Sequence, residues 1–247
     1  MTTLKRPKTG MILAAGMGKR MRPLSAITPK PLIPVDGKAI IDRPLTALER
    51  AGVDRTVINV HYLADLIEVH VRQYDQFEIV ISDERDALLE TGGGVNKALP
   101  HLGNEPFYLL NSDSFWMEGS VPNLDLLAHY WVEETMDALL LLAPTVTAVG
   151  YKGRGDFLLD PHGRLRRRKA HEVSPYVYCG AAIMHPRLFK DAPAAAHSLN
   201  VEFDKAIENG RLYGLIMDGT WMHVGTPRDI CSAERALAES ATGGRLP

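Results

Sequence analysis

Two cations that follow a glycine-rich turn near the start of the chain indicate the binding of a polyphosphate. An apolar run over residues 11–15 leads into Gly16 and Gly18. Glycine lets the main chain approach a phosphate, and successive backbone amides in such a turn form a concavity that binds anions. Arg20 adds a planar guanidinium, and Lys30, between two prolines, adds a compact positive charge. The pattern predicts a nucleoside triphosphate held by backbone amides and two cations.

Two common phosphate-binding motifs do not fit this turn. A Walker loop requires glycine at position 13 and Ser or Thr after the Gly-Lys pair, where this chain has Leu13 and Arg20. The dinucleotide fingerprint requires a third glycine at position 21, where this chain has Met21. The turn therefore belongs to neither class.

A carboxylate at the end of an apolar segment is the candidate metal ligand. Residues 109–113 are predicted to form a buried strand that ends in Asp113. In open α/β sheets, ligands gather beyond the carboxyl ends of the strands. Proteins usually hold Mg²⁺ with one or two carboxylates together with substrate phosphates. We therefore expect Asp113 to be a ligand of Mg²⁺, which is the cofactor we predict.

Three consecutive glycines, Gly92 to Gly94, form the next feature. Glycines at the start of a helix reduce its stability, so their presence suggests that a flat group presses against this backbone. The amino terminus of a helix also favours anions. A flexible connector is the alternative interpretation.

The elements that must position these residues alternate between strand and helix in the first half of the chain. We expect strands at 9–14, 55–60, 77–81, 107–110 and 137–142, and helices at 40–51, 63–73, 94–99 and 123–133. This order is typical of a mostly parallel sheet with helices on both faces. Further on we expect a hairpin at 156–167, strands at 176–184 and 212–217, and helices at 201–209 and 227–239. Because there is no repeat and no long linker, we expect one domain over 1–247.

Bulk composition limits the partners. The formal net charge of -2 gives no electrostatic reason to expect nucleic acid as a partner. The two cysteines, Cys179 and Cys231, do not make a disulfide framework and suit a reducing cytoplasm. No apolar run is long enough to span a membrane, so no membrane partner is expected. We expect small-molecule substrates and a monomer or small homo-oligomer.

From residue 9 to about residue 238 the chain resembles the sugar-1-phosphate nucleotidyltransferase family, above all in the segments 11–35 and 89–94. The resemblance implies an α/β fold: a single-domain, Rossmann-like (GT-A-like) nucleotidyltransferase with a mixed, mostly parallel central sheet. It implies a nucleotide-binding part over about 9–115 and an acceptor sugar-phosphate part over about 116–238. The implied reaction transfers a nucleoside monophosphate from a triphosphate to a sugar 1-phosphate and releases pyrophosphate.

The resemblance also implies roles for particular residues. The residues implied to act in catalysis are Arg20, Lys30 and Asp113. Those implied to bind the nucleotide are Leu13, Ala14, Ala15, Gly16, Gly18, Lys19, Arg20, Lys30, Arg85, Glu90, Thr91, Gly92 and Asn111. Those implied to bind the acceptor are Asp156, Lys169, Gly180 and Glu202. For Lys169 a solvated basic face is the alternative, and for Glu202 it is a favourable interaction with the helix dipole.

One position departs from the family pattern. Relatives have Trp-x-Asp-x-Gly-Thr, in which the Asp is a second magnesium ligand, but this chain has His223 there. Because imidazole suits softer metals than Mg²⁺, His223 is a candidate to bind a transition metal, a metal-bound water or a phosphate. A buried structural role is equally open. Asp218 is a candidate to replace the missing carboxylate.

Substrate choice rests on smaller resemblances. The segments 89–94 and 155–157 resemble the branch of the family that uses UTP and N-acetylmuramate α-1-phosphate in cell-wall recycling. Mannose- or heptose-1-phosphate guanylyltransferase activity is an alternative. Because His223 replaces the usual Asp, a catalytically silent regulatory subunit that binds nucleotide sugars is a further alternative.

Overall fold

The computed structural model describes residues 6–242, and within them six helices surround strands of three sheets. The helices are α1 (Asp42–Ala51), α2 (Ala64–Val71), α3 (Glu90–Leu102), α4 (Asn123–Tyr130), α5 (Asn200–Glu208) and α6 (Pro227–Ala241). The strands are β1 (Thr9–Leu13), β2 (Pro34–Val35), β3 (Lys38–Ala39), β4 (Arg55–Val60), β5 (Glu78–Asp83), β6 (Phe107–Asn111), β7 (Ser114–Glu118), β8 (Ala138–Pro144), β9 (Phe157–Leu159), β10 (Leu165–Arg167), β11 (Tyr176–Met184), β12 (Leu212–Ile216) and β13 (Gly219–His223).

The central sheet has a parallel half and an antiparallel half. Strands β5, β4, β1 and β6 are neighbours in that order, and all three pairings are parallel. Strand β11 continues the sheet beside β6 in the antiparallel sense. Beyond β11 the sheet forks, because β8 and then β12 extend one branch while β9 and β10 extend the other. The mixed sheet predicted from the sequence is confirmed.

The central strands contain continuous apolar runs. Such strands are stable only where helices cover both faces of the sheet. In β1, Ile12 faces a core with α1, α2 and α4, while Met11 faces the opposite core with α3 and α5. Such strands have continuous apolar runs rather than alternation. The predicted arrangement of helices on both faces is therefore confirmed. No helix among residues 6–242 is both long enough and apolar enough to cross a bilayer.

Four short strands were not predicted. Strands β7 and β13 pair in an antiparallel ribbon, and β2 pairs with β3. The ribbon joins segments about one hundred residues apart, so local sequence carries little signal for it. The helix expected over 94–99 starts earlier, at Glu90, which places the three glycines in its first turns.

A third apolar cluster fastens the ribbon to the beginning of the chain. It comprises Met21, Ile33, Val35, Ile40, Phe115, Met222, Val224 and Ala233. These residues come from the segment that follows β1, from both strands of the ribbon and from α6. Helix α6 is held in place at its start by Pro227 in its first turn and by a capping box between Thr226 and Asp229.

Candidate active site

An open cavity of about 510 Å³ lies beyond the carboxyl ends of β1 and β6, where ligands gather in open α/β sheets. Its lining comprises Leu13, Ala14, Ala15, Gly16, Gly18, Lys19, Arg20, Met21, Lys30, Pro31, Asn59, Leu88, Glu90, Thr91, Ser112, Asp113, Ser198 and Gly225. Eleven of these are residues that the sequence predicted for the site. Of those predicted, Arg85, Gly92, Asn111, His223 and the four acceptor residues lie outside the lining.

The glycine-rich turn forms one wall of the cavity. A side chain at Gly16 would meet no atom within 4 Å, so its backbone faces open space. Gly18 has φ +59, and a Cβ there would lie 3.0 Å from Cβ of Lys30 and 3.3 Å from Cβ of Ser25. The Ser25 hydroxyl donates to the carbonyl of Gly18 at 2.8 Å. Glycine at position 18 therefore lets the turn pack against the segment that carries Lys30.

An ion pair joins two of the segments that line the cavity. The Lys30 ammonium donates to Oδ2 of Asp113 at 2.8 Å, with 11% of the Lys30 side chain and 29% of the Asp113 side chain exposed. Burial by itself raises the pKa of Asp113, but the charges of Lys30, His223 and Arg20 and the Lys30 hydrogen bond outweigh it. The pKa of Asp113 is consequently below its usual range. The site holds an ionised carboxylate beside fixed positive charge.

His223 is joined to Asp113 through the ribbon. It pairs with Ser114 across the two strands, and the amide of Val224 donates to the Asp113 carbonyl at 3.0 Å. Its ring stacks on Trp221 with centroids 5.7 Å apart. Burial is the main cause that lowers the pKa of His223, so the imidazole is neutral near pH 7. Among residues 6–242, no group of three or more His, Cys, Asp or Glu side chains is placed to hold a metal.

Asp218 does not replace the missing carboxylate. It lies at the far end of the ribbon, next to Gly219, which pairs with Glu118. Its Oδ2 accepts hydrogen bonds from the amide and the hydroxyl of Ser120. These bonds hold the turn after β7 and lower the pKa of Asp218. The suggested compensation by Asp218 is therefore wrong, because its carboxylate is occupied away from Asp113.

The three glycines of α3 pack against protein rather than against the cavity. A Cβ on Gly92 would lie 2.6 Å from His197 and 2.9 Å from Oε2 of Glu202. A Cβ on Gly94 would lie 2.8 Å from both Asn59 and Glu84, and one on Gly93 would meet Leu89 and the 195–196 backbone. The interpretation that a flat ligand requires these glycines is therefore not supported. Neighbouring side chains occupy the space that a Cβ atom on Gly92 or Gly94 would need.

Arg85 is held away from the cavity by acidic side chains. Its guanidinium donates to Asp83 at 2.6 Å, Asp65 at 2.5 Å and Glu68 at 2.6 Å. Hydrogen bonds to these three carboxylates raise its pKa further above the already high value of arginine. The position argues against the predicted contact with the base, because the planar donor fork is already used.

Glu202 is buried rather than presented to a ligand. Only 1% of its side chain is exposed, and Oε1 lies 2.9 Å from Nε2 of His197. The His197 carbonyl accepts from the amides of Gly92 and Gly93 at 2.9 and 3.1 Å, and the Leu199 amide donates to the Thr91 hydroxyl at 2.9 Å. Glu202 thus supports the docking of the 197–199 segment on the start of α3. This burial argues against the predicted direct contact with the acceptor. Glu202 lies in the first turn of α5, so the alternative of a favourable interaction with the helix dipole fits its position.

Three other predicted residues, Asn111, Asp156 and Gly180, are connected through strand β11. The Asp156 carboxylate accepts from the amide of Tyr178 at 3.0 Å. Two residues on, Gly180 has φ +78, and a Cβ there would lie 2.7 Å from the Asn111 amide nitrogen. The register of β11 against β8 shifts between Tyr178 and Ala182, so Gly180 lies in a bulge. Burial raises the pKa of Asp156 against the opposing effects of the Tyr178 amide and nearby arginines.

The basic run before Lys169 is largely structural. Arg166 pairs with Glu172 at 2.7 Å, Arg167 pairs with Asp204 at 2.6 Å, and Arg168 donates to backbone carbonyls of residues 155, 169, 170 and 172. The Lys169 side chain is exposed, and its ammonium makes no hydrogen bond or ion pair within residues 6–242. Of this run, Lys169 is the member whose charge is available to a ligand.

Sequence reasoning missed several lining residues. Asn59, at the end of β4, could have been found as a polar residue that ends an apolar strand, as Asp113 was. Ser112 shares its segment with Asp113, and its hydroxyl donates to the Leu13 carbonyl at 2.6 Å. Ser198 gave no local signal, because a distant part of the chain brings it to the cavity. Gly225 is the glycine of the Trp-x-Asp-x-Gly-Thr pattern around His223, and that pattern was its available signal.

Comparison with known proteins identifies the family of the chain. Residues 9–144 match the nucleotidyl transferase family. Over 95% of its length the chain is 43% identical to the N-acetylmuramate alpha-1-phosphate uridylyltransferase of Caulobacter vibrioides, and it covers 98% of that protein. It is 32% identical to the enzyme of the same name from Neisseria meningitidis, with 92% of this chain and 96% of that protein covered. The chain therefore belongs to the nucleotidyl transferase family and is a sugar-1-phosphate nucleotidyltransferase.

Solved structures agree at the level of the fold. The inositol-1-phosphate CTP transferase of T. maritima superposes with a TM-score of 0.77 at 21% identity. The match covers 98% of this chain and 99% of that one. The Rossmann-like, GT-A-like nucleotidyltransferase fold expected from the sequence is confirmed.

Proposed function

We propose that this enzyme transfers UMP from UTP to N-acetylmuramate α-1-phosphate and releases pyrophosphate, as part of cell-wall recycling in the cytoplasm. Support for the substrates comes from the relatives that are 43% and 32% identical to this chain. Both are named N-acetylmuramate alpha-1-phosphate uridylyltransferase, and both match over nearly their whole length. The reducing compartment fits the two cysteines, which are both free. The observation that carries the reaction type is the cavity in which the glycine-rich turn faces the Lys30–Asp113 ion pair.

In this proposal the cavity binds the nucleotide. The turn over residues 13–20 offers backbone amides to the phosphates, and Arg20 and Lys19 add positive charge. Glu90 and Thr91 line the same cavity, and we propose that they contact the nucleoside. We assign the nucleotide-binding part to about 9–115, as the sequence predicts. Ser198 and Gly225 come from the acceptor part, which extends over about 116–238 and completes the same cavity.

The acceptor sugar phosphate binds beside the end of β6. Gly180 packs there against Asn111, which precedes Asp113 by two residues, and Asp156 is bonded to the Tyr178 amide on the same strand as Gly180. Lys169 supplies a free ammonium from the neighbouring loop. These residues are candidates to hold the hexose and to place its phosphate against the α-phosphate of the nucleotide.

The chemistry needs positioning more than acid–base catalysis. An oxygen of the acceptor phosphate is already an anion, so no side chain has to remove a proton from it. That oxygen forms a bond to the α-phosphorus, and the bond from this phosphorus to the bridging oxygen of the β-phosphate breaks. Pyrophosphate leaves with that electron pair. Arg20 and Lys30 reduce the repulsion between the two anions and stabilise the charge that develops at phosphorus.

Asp113 fits a role as ligand of Mg²⁺. Its ionised oxygens end a central strand at the cavity, and hard cations prefer oxygen ligands. When bound, Mg²⁺ would neutralise phosphate charge and orient the triphosphate. Asp113 and phosphate oxygens are the ligands we propose, with His223 in contact with phosphate or metal-bound water. We expect EDTA to abolish turnover, and Asp113→Asn to raise the Mg²⁺ concentration needed for half-maximal rate.

A substrate matrix tests the proposal. Each of the four common triphosphates, combined with N-acetylmuramate, mannose or N-acetylglucosamine 1-phosphate and Mg²⁺, is assayed for pyrophosphate release. We expect the highest kcat/KM with UTP and N-acetylmuramate 1-phosphate. A preference for GTP with mannose 1-phosphate would indicate a guanylyltransferase. Nucleotide binding without pyrophosphate from any pair would indicate a silent binding subunit and would contradict the proposed reaction.

A further inference from the structure

A series of buried hydrogen bonds connects the two facing walls of the cavity. The Ala14 amide donates to Oδ1 of Asn59 at 2.7 Å. The Asn59 amide group donates to Oε1 of Glu84 at 2.7 Å, and the Leu89 amide donates to Oε2 of Glu84 at 3.1 Å. We call these three bonds the Asn59–Glu84 network. It runs from Ala14, near the start of the glycine-rich turn, to the segment that carries Glu90.

The direction of every bond in the network is fixed by its two ends. A backbone N–H only donates, so Ala14 requires the carbonyl oxygen of Asn59, and the amide nitrogen of Asn59 must then face Glu84. The Leu89 N–H likewise requires an acceptor. Glu84 therefore accepts at both carboxylate oxygens, which an ionised carboxylate can do and a carboxamide cannot.

The network has no room to rearrange. Asn59 is 2% exposed and Glu84 is 0% exposed. A Cβ on Gly94 would lie 2.8 Å from each of them, so the helix packs directly against both side chains. Glu84 is held further by its backbone, since its carbonyl lies 2.7 Å from Nδ1 of His61. A lost bond would leave a buried donor without a partner rather than one exposed to water.

The wall that the network holds has a conformation that needs support. Glu90 has φ +60, which a residue with a side chain rarely adopts. The Leu89 amide just before it is bonded to Glu84, and the Gly92 amide just after it is bonded to the His197 carbonyl. Glu90 and Thr91 line the cavity between these two anchors.

We propose that Asn59 and Glu84 are positioning residues that set the separation between the phosphate turn and the Glu90–Thr91 wall, and thereby the affinity for the nucleotide. The inference rests on the proposed function, because it assumes that the nucleotide spans these two walls. The two side chains act through Ala14 and Leu89. Their effect is therefore specific to the nucleotide and does not extend to the acceptor.

Because the direction of each hydrogen bond is fixed, the network can be tested by moving the carboxylate from position 84 to position 59 with side chains of the same size. In Glu84→Gln, one carboxamide faces two donors, so one donor–donor contact remains in every side-chain orientation. In the double variant Asn59→Asp with Glu84→Gln, the new carboxylate at position 59 accepts from the Ala14 amide and from the new carboxamide at position 84. The oxygen of that carboxamide accepts from the Leu89 amide. All three bonds are restored, with the charge exchanged between the two side chains.

Calorimetric titration with UTP and steady-state kinetics then separate the outcomes. For Glu84→Gln we expect the Kd and KM of the nucleotide to rise about tenfold or more, since small misplacements are costly. The acceptor KM stays unchanged, and the double variant returns to within about threefold of the natural protein. If the single variant does not fold, the double variant alone still tests the restored network by its folding and its UTP affinity.

A matched control addresses stability. Asn123 is fully buried away from the cavity, and its amide donates to Glu118 and to the Asp218 carbonyl. We expect Asn123→Asp to lower the melting temperature without changing nucleotide Kd. Unchanged UTP affinity in Glu84→Gln, or a double variant whose UTP affinity is not restored, would overturn this inference but not the proposed function. If the natural protein bound none of the four triphosphates, the proposed function would fail as well.

Discussion

Lys30 is the single residue whose charge serves the proposed chemistry most directly, because its ammonium lies at the floor of the cavity on Asp113. We predict that Lys30→Met lowers kcat about 100-fold or more, as expected when a charge that stabilises a transition state is removed. The nucleotide KM should change far less. Pyrophosphate release at saturating and limiting UTP measures both quantities.

The control for Lys30 is Lys19, an exposed cation in the same cavity that forms no ion pair within residues 6–242. Lys19→Met should raise the nucleotide KM and leave kcat nearly unchanged. A raised nucleotide KM with unchanged kcat in Lys30→Met would show that Lys30 contributes only to binding of the ground state.

Asp156 connects acceptor binding with pH-dependent stability. Burial raises its pKa, so ionising this carboxyl costs more in the folded protein than in the unfolded chain. The cost of ionising it is absent well below the pKa of the unfolded chain and grows as pH rises through the folded pKa. In Asp156→Asn the side-chain oxygen still accepts from the Tyr178 amide, but this cost disappears.

We therefore predict that the free energy of unfolding of Asp156→Asn, relative to the natural protein, increases from pH 3.5 to pH 7. Urea unfolding at several pH values measures it, and the acceptor KM should rise in the same variant if Asp156 contacts the sugar. A constant difference across that pH range would show that the folded and unfolded pKa values are alike.

At the residue scale, the sequence predicted what depends on residue type and local spacing. Gly16, Arg20 and Lys30 follow an apolar strand closely, and their chemistry is visible without a fold. The roles of Arg85 and Glu202 were not accessible in this way. Their partners lie on other elements, and those partners decide whether a charge faces a ligand or the protein.

At the scale of elements, two glycine segments line or support the cavity for different physical reasons. Gly92 packs on His197 and Glu202, which are both buried, whereas Gly16 faces open space. We predict that Gly92→Ala lowers the free energy of unfolding by about 1–3 kcal/mol, because buried side chains must move. Gly16→Ala should leave stability nearly unchanged and weaken UTP binding. Thermal unfolding and calorimetric titration of both variants measure the contrast.

The same outcome for both glycine variants would contradict this division.

Element prediction succeeded for the parallel strands because long apolar runs specify them locally. It failed for β7 and β13, which are five residues each and exist through pairing across the chain. The start of α3 was placed too late, because three glycines are poor helix formers and tertiary contacts with Glu84 and His197 outweigh that preference.

At the scale of the whole molecule, the third apolar cluster connects the beginning and the end of the described chain. Met222 is fully buried in it, and we predict that Met222→Ala lowers the free energy of unfolding by about 2–5 kcal/mol through the cavity it leaves. Chemical denaturation measures this change. The nucleotide affinity should fall too, since Met21 and Ile33 of the same cluster flank the phosphate-binding segment.

Met117 provides the control, because it is only partly buried against the same cluster. Met117→Ala should be clearly less destabilising and should leave UTP affinity unchanged. Equal effects of the two variants would show that the cluster does not support the cavity.

The third cluster also determines when the phosphate-binding turn reaches its final shape during synthesis. A nascent chain that has emerged only as far as residue 144 contains the turn, Lys30 and Asp113, but not Met222, Val224 or Ala233, which pack behind them. About ninety further residues must therefore emerge from the ribosome before this cluster can form. An incomplete chain would contain every cation of the turn and would still bind cellular nucleotides weakly.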